Sequence, residues 1–311
     1  MLERRAVIAK KTSRSSAPVL QRIRISMSTS WYRTASTSAP RASRQTVNSQ
    51  HSHETAEVFI VHTGRWRFMT GEFGKDGQVD LGPGDVISIP TQVFRGFENI
   101  GSDIGFMFAV LGGDHPGRVT WAPYVFAAAA QHGLVLLDDG RLVDTTRESV
   151  QPDATRMPIT NGTDMARLRH LDNAALAACV LHSNEMLGTG GGLSRNAGVE
   201  ECALIGPANA AEGMSAGKMA WQHGFHLRRL RLQANAVCAP HSRADEEVLL
   251  LHEGELTVSW RGGSVTLHAG DTLTIPKALP RGFHNGGAAP VIAYVVRGGD
   301  APSAAESRAA L

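Results

Sequence analysis

The sequence predicts an all-β chain, with two copies of one small barrel in tandem joined by a partly helical linker. Three observations predict it. Short apolar stretches of strand length recur with glycine-rich turns between them. The 33 glycines and 14 prolines, with only 6% aromatic residues, favour many turns over long helices. The residue pattern of 51–99 returns over 241–285, and an internal repeat of that length marks two units of one kind. A chain of 311 residues has room for two such cores. A hydrophobic content of 42% and a charged content of 19% describe a soluble globular protein.

Residues 1–34 are rich in Arg and Ser and resemble an organelle transit peptide. The alternative is a polar extension upstream of a start at Met27. Either way the tract is set outside the fold. Residues 1–50 hold ten Lys/Arg and one acid, Glu3, a net charge of +9. The rest of the chain is therefore at −7, and an acidic body does not suggest a nucleic-acid binder. No apolar run approaches the ~18 residues that span a bilayer, so no membrane partner is expected.

The first unit is organised around His51-Ser52-His53, Glu57 and Gly64. On a strand, residues i and i+2 face the same way, about 6.6 Å apart, so both imidazoles can turn inward. Two imidazoles and a carboxylate suit Fe(II), Mn(II), Ni(II) or Zn(II). The apolar run Val58–Val61 leads to the turn at Gly64, and Trp66 and Phe68 alternate with Arg65 and Arg67 as on a half-exposed strand. Lys75-Asp76-Gly77, within the glycine-rich stretch 71–82, signals a hairpin loop. Gly84-Asp85 to Pro90, then Arg95 and Asn99, follow, and the apolar stretch 105–111 closes the unit.

Between Asp114 and Met219 the strand pattern lapses. Pro123–Gln131 reads as a helix, with proline in its first turn and Gly133 as the stop. A second helix is expected over Asp172–Leu187, capped by Asp172 and ended by Gly188. The run GTGGG at 188–192 lacks the Lys-Ser/Thr of a phosphate-binding loop and reads as a flexible link.

The strands then return. His241, Arg243, Glu247 and Gly254 repeat the first set at an offset of 190. Gly270-Asp271, Pro276, Arg281 and Asn285 repeat the second at 186, and Arg-Gly-Phe stands at both 95–97 and 281–283. The four-residue difference falls in the hairpin loop, where a change of length is cheap.

His51-x-His53-x(3)-Glu57-x(6)-Gly64, followed by Gly84-Asp85-x(4)-Pro90, Arg95 and Asn99, resembles the paired signatures of the cupin superfamily. The resemblance covers about 35–115 and 217–300. It implies two cupin jelly-roll barrels in tandem: an N-terminal barrel over 35–115, a linker with short helices over 116–216, a degenerate C-terminal barrel over 217–300 and a tail over 301–311. It implies His51, His53 and Glu57 as ligands of a divalent metal, with Fe(II) favoured and Mn, Ni or Zn as alternatives. It also implies an activity like that of two-domain dioxygenases of the gentisate and quercetin types, on a small acidic, aromatic compound. A homodimer is a further implication of the family. The alternative is a small-molecule-binding or sensor protein without turnover.

Two departures qualify the match. Gln92 stands where the family has glycine, and Arg95 where it has its third metal-binding histidine. A guanidinium has no free lone pair and cannot be a ligand. At ~6 Å and an effective dielectric of ~20, it repels a dication by about 5–6 kcal/mol before screening. Arg95 therefore either holds an acidic substrate beside the metal, as the candidate catalytic residue, or pairs with Glu57 in a metal-free pocket. In the second unit Arg243 and Arg281 replace two histidines, which leaves that half structural support, dimerisation or anion binding. His284 is an odd step from Arg281 and faces the other way.

His115, His132, His170, His182, His223 and His226 are isolated by spacing and read as surface or loop residues. Cys179, Cys202 and Cys238 form no CxxC pair, which argues for a reducing compartment. The expected location is cytoplasmic, with organelle import as the alternative.

Overall fold

The computed structural model describes residues 47–113, 117–151 and 153–308, so the tail expected over 1–34 and His115 lie outside the described residues. The first unit comprises β1 (Val47–Ser52), β2 (Glu57–Thr63), β3 (Trp66–Thr70), β4 (Gly77–Leu81), β5 (Val86–Ile87), β6 (Arg95–Asn99), β7 (Phe106–Leu111) and β8 (Thr120–Trp121). Then come α1 (Pro123–Gln131), the β9 (Leu134–Leu136) and β10 (Leu142–Asp144) hairpin, α2 (Gly162–Met165), α3 (Asn173–Ala177) and β11 (Val180–Leu181). The second unit comprises β12 (Val199–Ile205), β13 (Phe225–Leu232), β14 (Val237–Ser242), β15 (Glu247–Glu253), β16 (Glu255–Trp260), β17 (Gly263–His268), β18 (Thr272–Ile275), β19 (Arg281–His284), β20 (Val291–Gly298) and β21 (Glu306–Ser307).

Each unit is two facing antiparallel sheets. In the first the strand orders are β4-β3-β6-β1-β8 and β11-β5-β2-β7; in the second, β17-β16-β19-β14-β21 and β12-β13-β20-β15-β18. The repeat extends to register. His51 lies opposite Arg95 across β1 and β6, and His241 opposite Arg281 across β14 and β19, each beyond a bulge in the ladder. The strand after each barrel folds back onto the first: β8 sets Trp121 opposite His51, and β21 sets Ser307 opposite His241. The family glycine position is filled by Gln92 and Ala278, both left-handed, at φ 62° and 61°.

The unbroken apolar run of β2 follows from burial on both faces. Phe59 and Val61 point into the first barrel, where they meet Trp66, Phe68, Phe97 and Met107. Val58 and Ile60 point the other way, into a core shared with Val248, Leu250, Tyr294 and Val296 of the second unit. The second barrel has its own apolar interior around Leu230, Leu249, Leu251, Phe283 and Val295. The Tyr294 hydroxyl crosses the shared core to donate to the Gly84 carbonyl at 2.6 Å.

Four expectations change. The linker supplies strands to both barrels: β11 pairs with β5, and β12 with β13, so the expected boundary at 216/217 falls inside one sheet. The helix expected over Asp172–Leu187 ends at Ala177. Its cap is as read, with Asp172 accepting from the Ala175 N–H, but Val180 and Leu181 take up the free edge of β5 instead. The 188–192 run is packed: a Cβ on Gly190 would lie 2.0 Å from the Gly213 carbonyl oxygen, and one on Gly191 2.2 Å from the Glu201 carboxylate. The stretch after Gly299 closes the second barrel, with Ser303 bound to Asp245, Arg243 and Arg297. The α1 helix is as expected, with Pro123 in its first turn and Gly133 just past its end at φ 68°.

Candidate functional site

The first barrel brings His51, His53, Glu57 and Arg95 together. His51 lies on β1, His53 just past its end, Glu57 opens β2 and Arg95 opens β6. The His51 and His53 rings lie 5.8 Å apart. His51 and His53 are buried, Arg95 is 2% exposed, and Glu57 is partly covered. His51 Nδ1 donates to the Ser49 carbonyl at 2.8 Å, which leaves Nε2 with its lone pair. Burial, then the Arg95 charge, lowers the His51 pKa to about 4, so this ring is neutral.

His53 Nε2 lies 3.1 Å from Glu57 Oε2 and also against Arg95 Nη2. One ring nitrogen can donate to the carboxylate or accept from the guanidinium, and cannot do both. Arg95 Nη2 reaches Glu57 Oε2 at 3.7 Å. Burial pushes the Glu57 carboxyl up, but the His53 bond and the Arg95 charge outweigh it and hold it below its ordinary range. Arg95 Nε and Nη1 and His53 Nδ1 have no hydrogen-bond partner among the described residues, although all are buried. Groups left in that state cost ~1–3 kcal/mol each and call for a partner.

The metal site expected from the sequence requires His51, His53 and Glu57 to face one point. Among the described residues no three His, Cys, Asp or Glu side chains are grouped in that way. Here the Arg95 guanidinium stands against two of the expected ligands, so the residues in this arrangement do not fit a metal.

Behind this cluster the barrel is filled. Phe59, Phe68, Phe97 and Trp66 pack ring to ring at 5.2–5.8 Å. Trp121 covers the other side, its ring 5.1 Å from His51. Trp121 also lines a cavity of about 430 Å3 with Val119, Phe126, Leu136, Met157 and Asp164.

At the equivalent place in the second barrel, Arg243 Nε lies 3.0 Å from Glu247 Oε1, and Arg281 contacts the same carboxylate. Arg243 also reaches Glu212 at 2.7 Å, and Arg228 reaches Glu212 at 2.6 Å and Glu201 at 3.1 Å. Glu201 and Glu212 come from the stretch read as linker, which is why spacing missed this network. His284 is exposed while Arg281 is buried, as the odd step predicts.

Two histidines read as surface residues are buried. His223 Nε2 bonds the Ser88 hydroxyl of the first barrel at 2.7 Å, and His226 Nδ1 donates to the Gly299 carbonyl at 2.6 Å. His62 and His252, equivalent at the offset of 190, meet between the barrels with Nδ1 atoms 3.2 Å apart. Their shared offset was the signal in the sequence.

The cupin domain family model matches residues 42–111 and 228–297. No curated protein matches the chain. Among solved structures, oxalate decarboxylase from Bacillus subtilis is similar at 13% identity and a TM-score of 0.49, over 84% of this chain and 66% of that one. The Lactobacillus farciminis oxalate decarboxylase formate complex is similar at 14% and 0.49, over 84% and 75%. AerE from Microcystis aeruginosa is similar at 11% and 0.45, over 81% and 82%. This chain spans just under two thirds of the B. subtilis chain, and likenesses of this size carry nothing about chemistry. The two family matches fall on the two repeated barrels, and the chain belongs to the cupin superfamily as a two-domain bicupin.

Proposed function

We propose that the N-terminal barrel binds a small organic acid through Arg95 without a resident metal. The observation that carries this reading is the buried guanidinium, set against His53 and Glu57 with Nε and Nη1 unengaged. A carboxylate would take those free donors in a charge-assisted pair, the strongest hydrogen bond open to them. Neutral His51 and the Trp121 ring would cover its flat face. This is the binding or sensor alternative of the sequence, with His51, His53, Glu57 and Arg95 as the site.

The metal-dependent oxygenase is the second reading. It is favoured by the 3.1 Å span between His53 Nε2 and Glu57 Oε2, which suits two ligands of one ion, and by the free Nε2 of His51. It requires Arg95 to turn away from them.

Calorimetric titration with salicylate on chelator-treated protein tests the first reading. Binding should occur without metal and fall at least tenfold in Arg95→Met. Equimolar iron or manganese in protein purified without chelator, lost in His53→Ala, would overturn it, and O2 uptake with Fe(II) and hydroxybenzoates would establish the second.

A further inference from the structure

The second barrel carries a charge imbalance that nothing assigned so far explains. Arg228, Arg243, Arg281 and Arg297 are at most 3% exposed, and they face three equally buried carboxylates, Glu201, Glu212 and Glu247. Guanidiniums stay protonated at neutral pH. Burial, then the Arg243 and Arg228 charges, pushes Arg297 well below its ordinary value, and burial and Arg243 lower Arg281 to about 9, yet a guanidinium keeps its proton in a protein. Glu212 is ionised, since Arg243 and Arg228 override the upward push of burial and hold it near 2. Among the described residues no other buried group of this barrel supplies a further negative charge. Burial pushes the Cys238 thiol up to about 12, and burial with Arg281 drops His241 to about 3. Asp245 and Asp300 are partly exposed and occupied by Ser303 and by the His223 and Gly224 N–H groups. One buried cation is in excess, and a buried unpaired charge is costly.

The excess is visible in one side chain. Arg297 donates from Nη1 to the Ser303 carbonyl at 3.0 Å, while its Nε and Nη2 have no hydrogen-bond partner among the described residues. In the first barrel the equivalent residue is Leu111, opposite Glu57 as Arg297 is opposite Glu247. The fold therefore does not require arginine there.

The cluster reaches a cavity of about 230 Å3 through Arg228, with His226, the residue opposite Arg297 in the ladder, beside it. Arg228 Nη1 and Nη2 each have a second N–H beyond the one given to Glu201 or Glu212. Apart from Asn209, the remaining wall is apolar, with Ala203, Ile205, Ala208 and Met214. We propose that this cavity holds a small monocarboxylate, whose charge balances the excess guanidinium and whose apolar end lies against that wall. This site is separate from the acid site of the first barrel and does not depend on it.

The test is titration of the full chain with benzoate, read by calorimetry and by thermal melting, with sodium chloride at equal ionic strength as control. An Arg95→Met background silences the first barrel. In that background one benzoate should bind per chain and raise the Tm. Arg297→Leu, which places the first barrel's residue in the second, should weaken binding at least tenfold. Ala208→Trp fills the cavity from its rim without touching a charge; it should abolish binding and leave the ligand-free Tm unchanged. If Arg297→Leu fails to fold, Ala208→Trp decides. No benzoate binding in the Arg95→Met protein, or binding unchanged by Ala208→Trp, would overturn the site. Failure of the first barrel to bind acids would make wild type and Arg95→Met titrate alike, and would leave this result standing.

Discussion

Ala278 shows what one atom costs. It sits at φ 61°, a conformation that costs a residue with a Cβ ~1–2 kcal/mol. Glycine there relieves the strain but loses ~0.4–1 kcal/mol to the freedom of its unfolded chain. Ala278→Gly should therefore raise the unfolding free energy by about 0.5–1 kcal/mol, measured by urea denaturation. A loss of stability would show that the methyl group packs well enough to offset the strain. Residue-level reading did well where chemistry is local to the strand. His51, His53, Glu57 and Arg95 do meet, because one periodicity and one register bring them together. It could not see where the Arg95 guanidinium would rest, since that depends on rotamers and on which neighbour takes its protons. Nor could it see partners for His223 or His252, which lie on the other barrel.

At the scale of elements, α1 and α3 are opposites. The first has no buried residue and matches its sequence boundaries, because Pro123 and Gly133 fix both ends locally. The second is a five-residue helix anchored by one side chain, Leu176, which is fully buried in the first barrel's core. Its end is set by β11 pairing with β5, a contact no local signal announces. Leu176→Ala should cost ~2–5 kcal/mol by urea denaturation. Ala129→Gly in α1 should cost no more than ~1 kcal/mol. Equal costs would mean that the helix is held by its backbone bonds and not by that side chain. The linker reading fails for the same reason: β12 carries Glu200 and Glu201 among its apolar residues, and the partner that makes it a strand, β13, lies some 20 residues on.

The whole molecule is held by the core between the barrels and by the His62–His252 pair within it. Burial, with His252 beside it, lowers His62 to about 4, and burial lowers His252 to about 4. Both are depressed below the unfolded value of about 6.5, so the unfolded chain binds more protons between pH 4 and 6.5. The stability their neutral forms contribute is complete above pH 6.5 and is lost as the pH falls toward 4. Phe106, Phe108 and Tyr294 rings surround the pair, and Glu253, 3.4 Å from His252, is mostly exposed. His51, His223, His226 and His241 push the same way, so the assignment rests on a variant. His252→Asn should flatten part of the fall in Tm between pH 6.5 and 4; an unchanged profile would exclude the pair as a contributor.

That shared core also makes the molecule a dimer folded within one chain. Two separate barrels would have to find each other by diffusion, whereas here the linker holds the second face at an effective concentration set by its own length. Cutting the chain within Gly188–Gly191 would convert an intramolecular association into a bimolecular one. The two fragments should copurify, and their melting point should fall on dilution more steeply than that of the uncut chain. Fragments that stay folded as separate monomers would show that each barrel can leave Val58, Ile60, Val248 and Tyr294 in water.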